Sequence, residues 1–159
     1  MNIIQLKFDE LKKDHWSDKE VINVKLILDF VQNLMNNHDF DYVANTFGNQ
    51  VYTQHNRGIP DGMDAIIKYV GDFAKSNPEY TYDVKHIYAD GDFVIFQSHA
   101  TIRAKHRGND QKGLNIIDIW RIEDGQIVEH WDALQPMDGF MRFYNLLTGG
   151  KIRNTNGVY

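Results

Sequence analysis

Two residues with acid–base chemistry, His99 and Asp118, lie on neighbouring segments whose alternating pattern predicts β-strands. A turn at 107–110 joins these segments, and if its centre lies between Gly108 and Asn109, His99 stands directly opposite Asp118. Directly opposed residues of an antiparallel pair share one face of the sheet. We therefore expect a His–Asp pair on that face, although a bulge or a one-residue slip would move one partner to the other face.

The next predicted hairpin adds tryptophan to the same face. Its turn at 123–126 contains Asp-Gly, a strong hairpin signal, and a symmetric turn there places Asp118 opposite Trp131. By the same register His130 and Asp132 fall on the other face, where we expect them to have a structural role. The face that carries Asp118 then contains Ile95, Gln97, His99, Thr101, Ile116, Trp120 and Trp131.

A face of this composition can transfer protons. A carboxylate in an apolar, tryptophan-lined cavity loses hydration, so its pKa rises and it accepts a proton more readily near neutral pH. A neighbouring imidazole can hold the carboxylate, donate to a developing enolate or relay the proton. We therefore predict Asp118 as a general base, with His99 and His55 as its catalytic partners. The predicted substrate-binding walls are Tyr52, Gln97, Trp120 and Trp131.

The three predicted catalytic residues, His55, His99 and Asp118, also match a two-histidine, one-carboxylate metal site. Their spacing contains no compact motif such as His-x-x-x-His, so we favour a site without a metal and predict no cofactor. The chain contains no cysteine. Disulfides, thiol nucleophiles and cysteine-ligated zinc or iron–sulfur sites are therefore excluded.

The elements that must position these residues divide into a helical first half and a β-rich second half. Ser17 and Glu20 form a capping-box pattern at the start of the first long helix, and Asp61 begins a later one. From Tyr80 the apolar period changes from helical spacing to two. The predicted helices cover about 18–36, 42–47, 61–76 and 140–147, and the predicted strands cover 51–55, 80–88, 93–105, 113–122 and 127–134.

Helices followed by a meander of long strands predict an α+β fold, with helices on one face of an antiparallel sheet. Long strands twist and coil, so we expect a cone-shaped antiparallel or mixed sheet, wrapped by three N-terminal helices and enclosing a pocket. We predict one domain over 1–159, with its core at 17–136 and a tail at 137–159. Both sheet faces contain apolar residues, and a second copy of the chain can cover the outer one. A homodimer is therefore expected.

Charge and hydropathy limit the classes of binding partner that we expect. The formal net charge is −5, and 25% of the residues are charged. Since the basic residues are scattered, we expect no nucleic-acid partner. No stretch approaches the roughly 20 apolar residues of a membrane span, and the N-terminus does not follow the pattern of a secretory signal. We therefore expect a cytoplasmic protein that does not bind membranes.

Three sequence blocks are similar to a known family: Tyr52-Thr53-Gln54-His55-Asn56, Pro60-Asp61-Gly62, and DIWRIEDGQIVEHWD over 118–132. They resemble SnoaL-like polyketide cyclases, and more closely the predicted SnoaL-like aldol-condensation proteins of bacteria. Both belong to the ketosteroid isomerase and nuclear transport factor two-like superfamily. The resemblance covers about 17–136 and implies an α+β cone with a deep pocket, a homodimer through the outer sheet face and no cofactor. In the cyclases an aspartate removes a proton from the carbon next to a carbonyl, and the motif maps this aspartate onto Asp118.

Two functions remain open at this point. The first is a cofactor-free enzyme that acts on a small, largely apolar carbonyl compound by general-base proton abstraction, in an aldol cyclisation, an isomerisation or related lyase chemistry. The second is a non-catalytic binding protein or sensor that uses the same pocket. The superfamily fold hosts both, so fold alone does not decide between them.

Overall fold

The computed structural model describes residues 3–148, 153–154 and 156. Within them, five strands form one sheet in the order β1-β5-β4-β3-β2. β1 pairs with β5 in parallel, and the other neighbours pair antiparallel. The strands are β1 (Thr53–Gln54), β2 (Thr81–Asp90), β3 (Phe93–Thr101), β4 (Leu114–Glu123) and β5 (Gln126–Pro136). The expected mixed sheet of an α+β protein is thus confirmed.

The helices are α1 (Phe8–Leu11), α2 (Asp18–Val31), α3 (Phe40–Phe47), α4 (Met63–Ser76) and α5 (Gly139–Thr148). At the start of α2, Ser17 Oγ accepts the Glu20 N–H while the Glu20 carboxylate accepts the Ser17 N–H, as the capping-box pattern predicts. The last part of the expected first helix is a wider π-helical segment, Gln32–Asn37. No helix within 3–148, 153–154 and 156 has the length and apolar character of a membrane span.

The β3–β4 register differs from the symmetric turn that we expected. β3 ends at Thr101, and the connection to β4 includes a 3-10 turn at Ala104–His106. Gly113 closes the connection with a φ of 87°, and a Cβ there would lie 2.3 Å from the carbonyl oxygen of Ala100. As a result Asp118 stands opposite Phe96 rather than opposite His99.

The β4–β5 turn has the expected centre, since Glu123 pairs with Gln126, but a bulge follows it. The pairing changes between Arg121 and Ile122, which leaves Val128 as the extra residue on β5. Beyond the bulge, Asp118 pairs with Asp132 and Trp120 pairs with His130. A bulge of one residue exchanges the two faces of a strand. His130 and Asp132 therefore lie on the inner face with Asp118, which corrects the outer face that we expected for them.

The inner face of the sheet forms one core with the helices. Alternate β4 residues, from Leu114 to Ile122, are buried. On β2, the Asn36 side chain from the π-helical segment binds both backbone groups of Tyr82: its Nδ2 donates to the carbonyl at 2.9 Å, and its Oδ1 accepts the N–H at 2.8 Å. Because β2 is an edge strand, this amide replaces a missing strand neighbour.

Asn36 is 4% exposed, so replacing it with alanine leaves two buried backbone groups of Tyr82 without partners. Each buried unsatisfied group costs about 1–3 kcal/mol, and we expect Asn36→Ala to lower the free energy of unfolding by about 2–4 kcal/mol. Urea denaturation measures this loss. Asn37→Ala is the matched control because Asn37 is exposed and bonds only side chains. Equal effects of the two substitutions would contradict the bridging role of Asn36.

Candidate functional site

A cavity of about 160 Å³ lies between the inner face of the sheet and helices α4 and α5. Most of its wall is apolar or aromatic, with Phe73 and Tyr80 among the lining residues. Five of its polar side chains lie together, four on the sheet and one on the loop before α4, and we call them the polar cluster. It consists of Asn56, Tyr82, Asp118, His130 and Asp132.

Asp118 on β4 is 4% exposed, and both of its carboxylate oxygens have partners. Oδ1 lies 3.0 Å from His130 Nε2, and Oδ2 accepts a hydrogen bond from the Tyr82 hydroxyl. Burial, followed by the negative charge of Asp118, holds the pKa of Tyr82 well above its usual value. The phenol therefore stays protonated and donates a hydrogen bond to the carboxylate.

Gln54 determines which nitrogen of His130 carries a proton. Gln54 Oε1 accepts the backbone N–H of Asn56 at 2.9 Å, which fixes the orientation of the amide. The same oxygen lies 2.9 Å from His130 Nδ1. A carbonyl oxygen only accepts hydrogen bonds, so Nδ1 is protonated and donates to it.

The contact between His130 Nε2 and Asp118 Oδ1 therefore needs a further proton. A neutral imidazole with its proton on Nδ1 presents a lone pair at Nε2, and that lone pair would face a carboxylate lone pair at 3.0 Å. One proton between the two atoms removes the repulsion, as an imidazolium–carboxylate pair or as a neutral imidazole with a carboxylic acid. The pair thus holds a proton at the surface of the cavity.

Asp132 is the second carboxylate of the polar cluster. Asn56 Nδ2 donates to both of its oxygens, at 2.8 and 2.6 Å. Burial raises the pKa of Asp132, and the nearby Asp118 adds to the rise, while the attraction of His130 opposes it. Asp132 therefore combines a position at the cavity wall with a higher proton affinity than an ordinary aspartate.

Ligand atoms of Asp118, His130 and Asp132 lie within 4.8 Å of one another, a spacing that a metal ion can bridge. In this arrangement, however, His130 Nε2 and Asp118 Oδ1 already share a proton, and Asn56 occupies both oxygens of Asp132. A metal would have to displace these contacts. The alternative metal set considered from the sequence, His55, His99 and Asp118, does not assemble, since of its members only Asp118 lines the cavity.

The other two predicted catalytic residues lie outside the cavity lining. His99 faces the outer side of the sheet, where its Nε2 contacts the carbonyl oxygen of Lys112 at 2.7 Å. The His55 ring stacks on Trp131 with a centroid distance of 4.6 Å, and its Nε2 lies 2.9 Å from Glu129 Oε1. The expectation that these histidines meet Asp118 is therefore wrong, and for His99 the reason is the incorrect β3–β4 register.

The four residues predicted to line the pocket fall into two groups in the structure. Gln97 and Trp131 lie on the outer face, opposite to the expectation, for the same reason of register. Tyr52 and Trp120 are buried next to His130 and stack on its ring, with centroid distances of 5.9 and 5.3 Å. These two rings position the imidazole rather than line the cavity.

Sequence reasoning missed His130 and Asp132 as members of the site, although one signal pointed to them. Arg121 and Glu129 carry opposite charges, and their pairing across β4 and β5 gives an ion pair of 2.8 Å. Choosing this charge pair as the register, instead of a symmetric turn, places His130 and Asp132 on the face of Asp118. Tyr82 gave no comparable signal, since β2 has its own bulge after Val84.

Helix α5 contributes to the cavity wall through Met141 and Tyr144. Phe140 and Phe143 are exposed. The C-terminal helix expected from the sequence is therefore present, and it closes one side of the cavity.

The raised pKa of Asp132 predicts a pH-dependent stability cost. An aspartate whose folded pKa lies above its unfolded value of 3.8 destabilises the fold increasingly as the pH rises through the folded pKa. Asp132→Asn should remove this cost, so we expect the variant to gain stability over the wild type at pH 7 and to lose that gain towards pH 4. Each pKa unit of elevation corresponds to about 1.4 kcal/mol. Urea denaturation at both pH values measures the effect, and an equal difference at both would contradict it.

The sequence profile of the SnoaL-like domain matches residues 27–130, a stretch that includes most of the sheet and His130. No curated protein sequence matches the chain at a significant level. Solved structures do match, at low sequence identity. A proposed SnoaL-like polyketide cyclase from Jannaschia sp. CCS1 has a TM-score of 0.63 at 14% identity, over 86% of this chain and 98% of that one.

Two further solved structures have the same fold. A proposed polyketide cyclase from Bacillus cereus ATCC 10987 gives a TM-score of 0.62 at 21% identity, over 94% of this chain and 99% of that one. TsrD from Streptomyces laurentii gives 0.58 at 18% identity, over 78% and 92%. These likenesses establish the cone fold, and with the profile match over more than half of the residues, the chain belongs to the SnoaL-like domain family.

Proposed function

We propose that the cavity binds a small, uncharged carbonyl compound and that Asp118 removes a proton from the carbon next to the carbonyl. The observation that carries this proposal is the polar cluster, which joins a proton-sharing Asp118–His130 pair to an otherwise largely apolar cavity. Such a pair can accept a proton and return it. Two of the similar solved structures are named as proposed polyketide cyclases, although fold alone does not transfer a reaction.

Size and charge define the compound. The cavity volume of about 160 Å³ is close to that of an apolar cavity of about 150 Å³ that holds benzene. A single six-membered ring is therefore the appropriate size. The described lining residues include the carboxylates of Asp118 and Asp132 but no lysine or arginine. An anionic ligand would be repelled without compensation, so the ligand is uncharged at this end.

The proposed reaction begins with the substrate carbonyl beside the Tyr82 hydroxyl. The bond between hydrogen and the α-carbon breaks, the proton moves to Asp118 Oδ2, and the electron pair moves to the carbonyl oxygen to form an enolate. Tyr82, which donates to Oδ2 in the resting site, then donates to the enolate oxygen. The pair now holds two protons, and the nearby carboxylate of Asp132 stabilises the added positive charge.

The enolate has two routes forward. Attack on a second carbonyl of the same molecule forms a carbon–carbon bond, which is aldol cyclisation, and the proton held by Asp118 then neutralises the new alkoxide. In a compound with a carbon–carbon double bond next to the α-carbon, the enolate extends over that bond, and return of the proton to its far carbon gives an isomerisation. His55 and His99 have no step in this scheme because both lie outside the cavity lining.

Exchange of α-hydrogens tests the shared first step. We expect the wild type to catalyse hydrogen–deuterium exchange of cyclohexanone in D₂O, followed by NMR. Loss of a general base costs about 10²–10⁴-fold, so Asp118→Asn should slow exchange at least about 100-fold. Asp83→Asn is the matched control, since Asp83 bonds Lys85 and does not line the cavity.

The outcome also separates the two functions. Equal exchange rates for Asp118→Asn and the wild type would contradict Asp118 as the base. If cyclohexanone binds the wild type, as saturation-transfer NMR detects, but no exchange above background occurs, the chain is a ligand-binding protein. That second function is favoured by one observation, namely that both oxygens of Asp118 already have partners.

We further propose that two copies of the chain pair through the outer face of the sheet. An apolar strip runs across this face, with Phe93 39% exposed at one end. An adjacent row of amides, from Gln97 through Asn115 to Gln135, continues the face. A two-fold axis would bring the strip of each copy onto the strip of the other. The strip comprises Phe93, Ile95, Ile117, Ile119, Trp131 and Ala133.

The cytoplasmic location remains a prediction from the sequence.

A charge in the apolar strip should separate the copies. We expect light scattering after size exclusion to give a dimer for the wild type and a monomer for Ile117→Lys, because burying an unpaired ammonium is costly. Ile22→Lys is the control, since Ile22 is 64% exposed on α2 and outside the strip. A monomeric wild type, or a dimer that survives Ile117→Lys, would contradict the proposed interface.

A further inference from the structure

Two asparagines near the C-terminal end bind the loop that precedes α4. Asn154 Nδ2 donates to the carbonyl oxygens of Asn56 and Ile59, both at 2.8 Å. Asn156 Nδ2 donates to the carbonyl oxygen of Gln54 at 2.9 Å and to Asp61 Oδ1 at 2.7 Å. The backbone N–H of Arg153 adds a bond to the carbonyl oxygen of Arg57 at 2.7 Å.

Two of the residues that receive these bonds, Gln54 and Asn56, have side chains that contact His130 and Asp132 in the polar cluster. Gln54 Oε1 accepts from His130 Nδ1, and Asn56 Nδ2 donates to Asp132. The backbone N–H of Gln54 is in turn held by Asp61 Oδ1 at 2.8 Å, the same oxygen that Asn156 binds. Each C-terminal asparagine therefore hydrogen-bonds the backbone of a residue whose own side chain contacts His130 or Asp132.

The environment of Gln54 indicates that its role is to orient His130. Gln54 is fully buried, and its Nε2 has no partner among the described residues. The oxygen of the amide, in contrast, makes both of its available bonds.

We propose that Asn154 and Asn156 are positioning residues of the site: they clamp the 54–61 loop so that Gln54 holds the proton of His130 on Nδ1 and Asn56 holds Asp132. Without the clamp, the loop can move away from the sheet, Gln54 Oε1 leaves His130, and the imidazole becomes free to carry its proton on either nitrogen. The tail is then part of the catalytic architecture, although it lies outside the matched stretch 27–130. The consequence for catalysis rests on the proposed function, whereas the consequence for the His130 tautomer does not.

The test uses the full chain with Asn154→Ala and Asn156→Ala combined, and Asn156→Ala alone as the milder variant. In the wild type, ¹⁵N NMR of the histidine rings should show a protonated Nδ1 for His130. In the double variant we expect the ¹⁵N signals of His130 to move towards a mixture of tautomers. The exchange rate of cyclohexanone should fall about 10- to 100-fold, the scale of a displaced catalytic group. Asn109→Ala is the matched control, since Asn109 bonds only its own turn.

Each result decides the matter. If both variants remain folded, as circular dichroism measures for the whole chain, and the ¹⁵N signals of His130 are unchanged, the proposal is overturned. If the double variant fails to fold, Asn156→Ala alone decides by the same signals. If the wild type shows no exchange at all, the proposed function fails, but the tautomer measurement still supports or overturns the role of the two asparagines.

Discussion

The hydrogen bond between His130 Nε2 and Asp118 Oδ1 is the contact on which the polar end of the cavity depends. Both residues are almost fully buried, so neither can rely on water for hydration or proton exchange. Gln54 fixes one side of the imidazole ring, Tyr82 fixes the second oxygen of the carboxylate, and the rings of Tyr52 and Trp120 fix the plane of the imidazole. Removing any of these supports changes where one proton resides.

The two faces of the sheet carry different kinds of side chain. The inner face combines carboxylates, a phenol and an imidazole with an apolar cavity, whereas the outer face combines an apolar strip with a row of amides and the Arg121–Glu129 ion pair. Since residues alternate between faces, each strand supplies both surfaces. Asp118 faces the cavity while its neighbours Ile117 and Ile119 belong to the apolar strip. Changes on one face therefore act on the other through shared backbone.

The fold followed from local patterns, because capping, helical periodicity and Asp-Gly turns act within a few residues of the chain. The Ser17–Glu20 cap and the four long strands are present as the sequence indicates. Within the site, Asp118 and its inward neighbour Trp120 were placed together correctly. His130 and Asp132 were misplaced because a symmetric turn takes no account of the bulge at Val128, which only the opposite charges of Arg121 and Glu129 indicate in the sequence. The clamp by Asn154 and Asn156 joins residues about 100 positions apart, and no local pattern encodes such a contact.

The bulge on β5 has a consequence for how this family can vary. It lies between the 123–126 turn and the site, so the register at the site is the one beyond the bulge, where Arg121 pairs with Glu129. Regular pairing through Val128, without the bulge, would instead turn Trp131 inward and His130 outward, and the cavity would lose its imidazole. The bulge, and not the centre of the turn, therefore decides which β5 side chains face the cavity. A comparison with relatives that ignores the bulge would place His130 on the outer face of the sheet, away from Asp118.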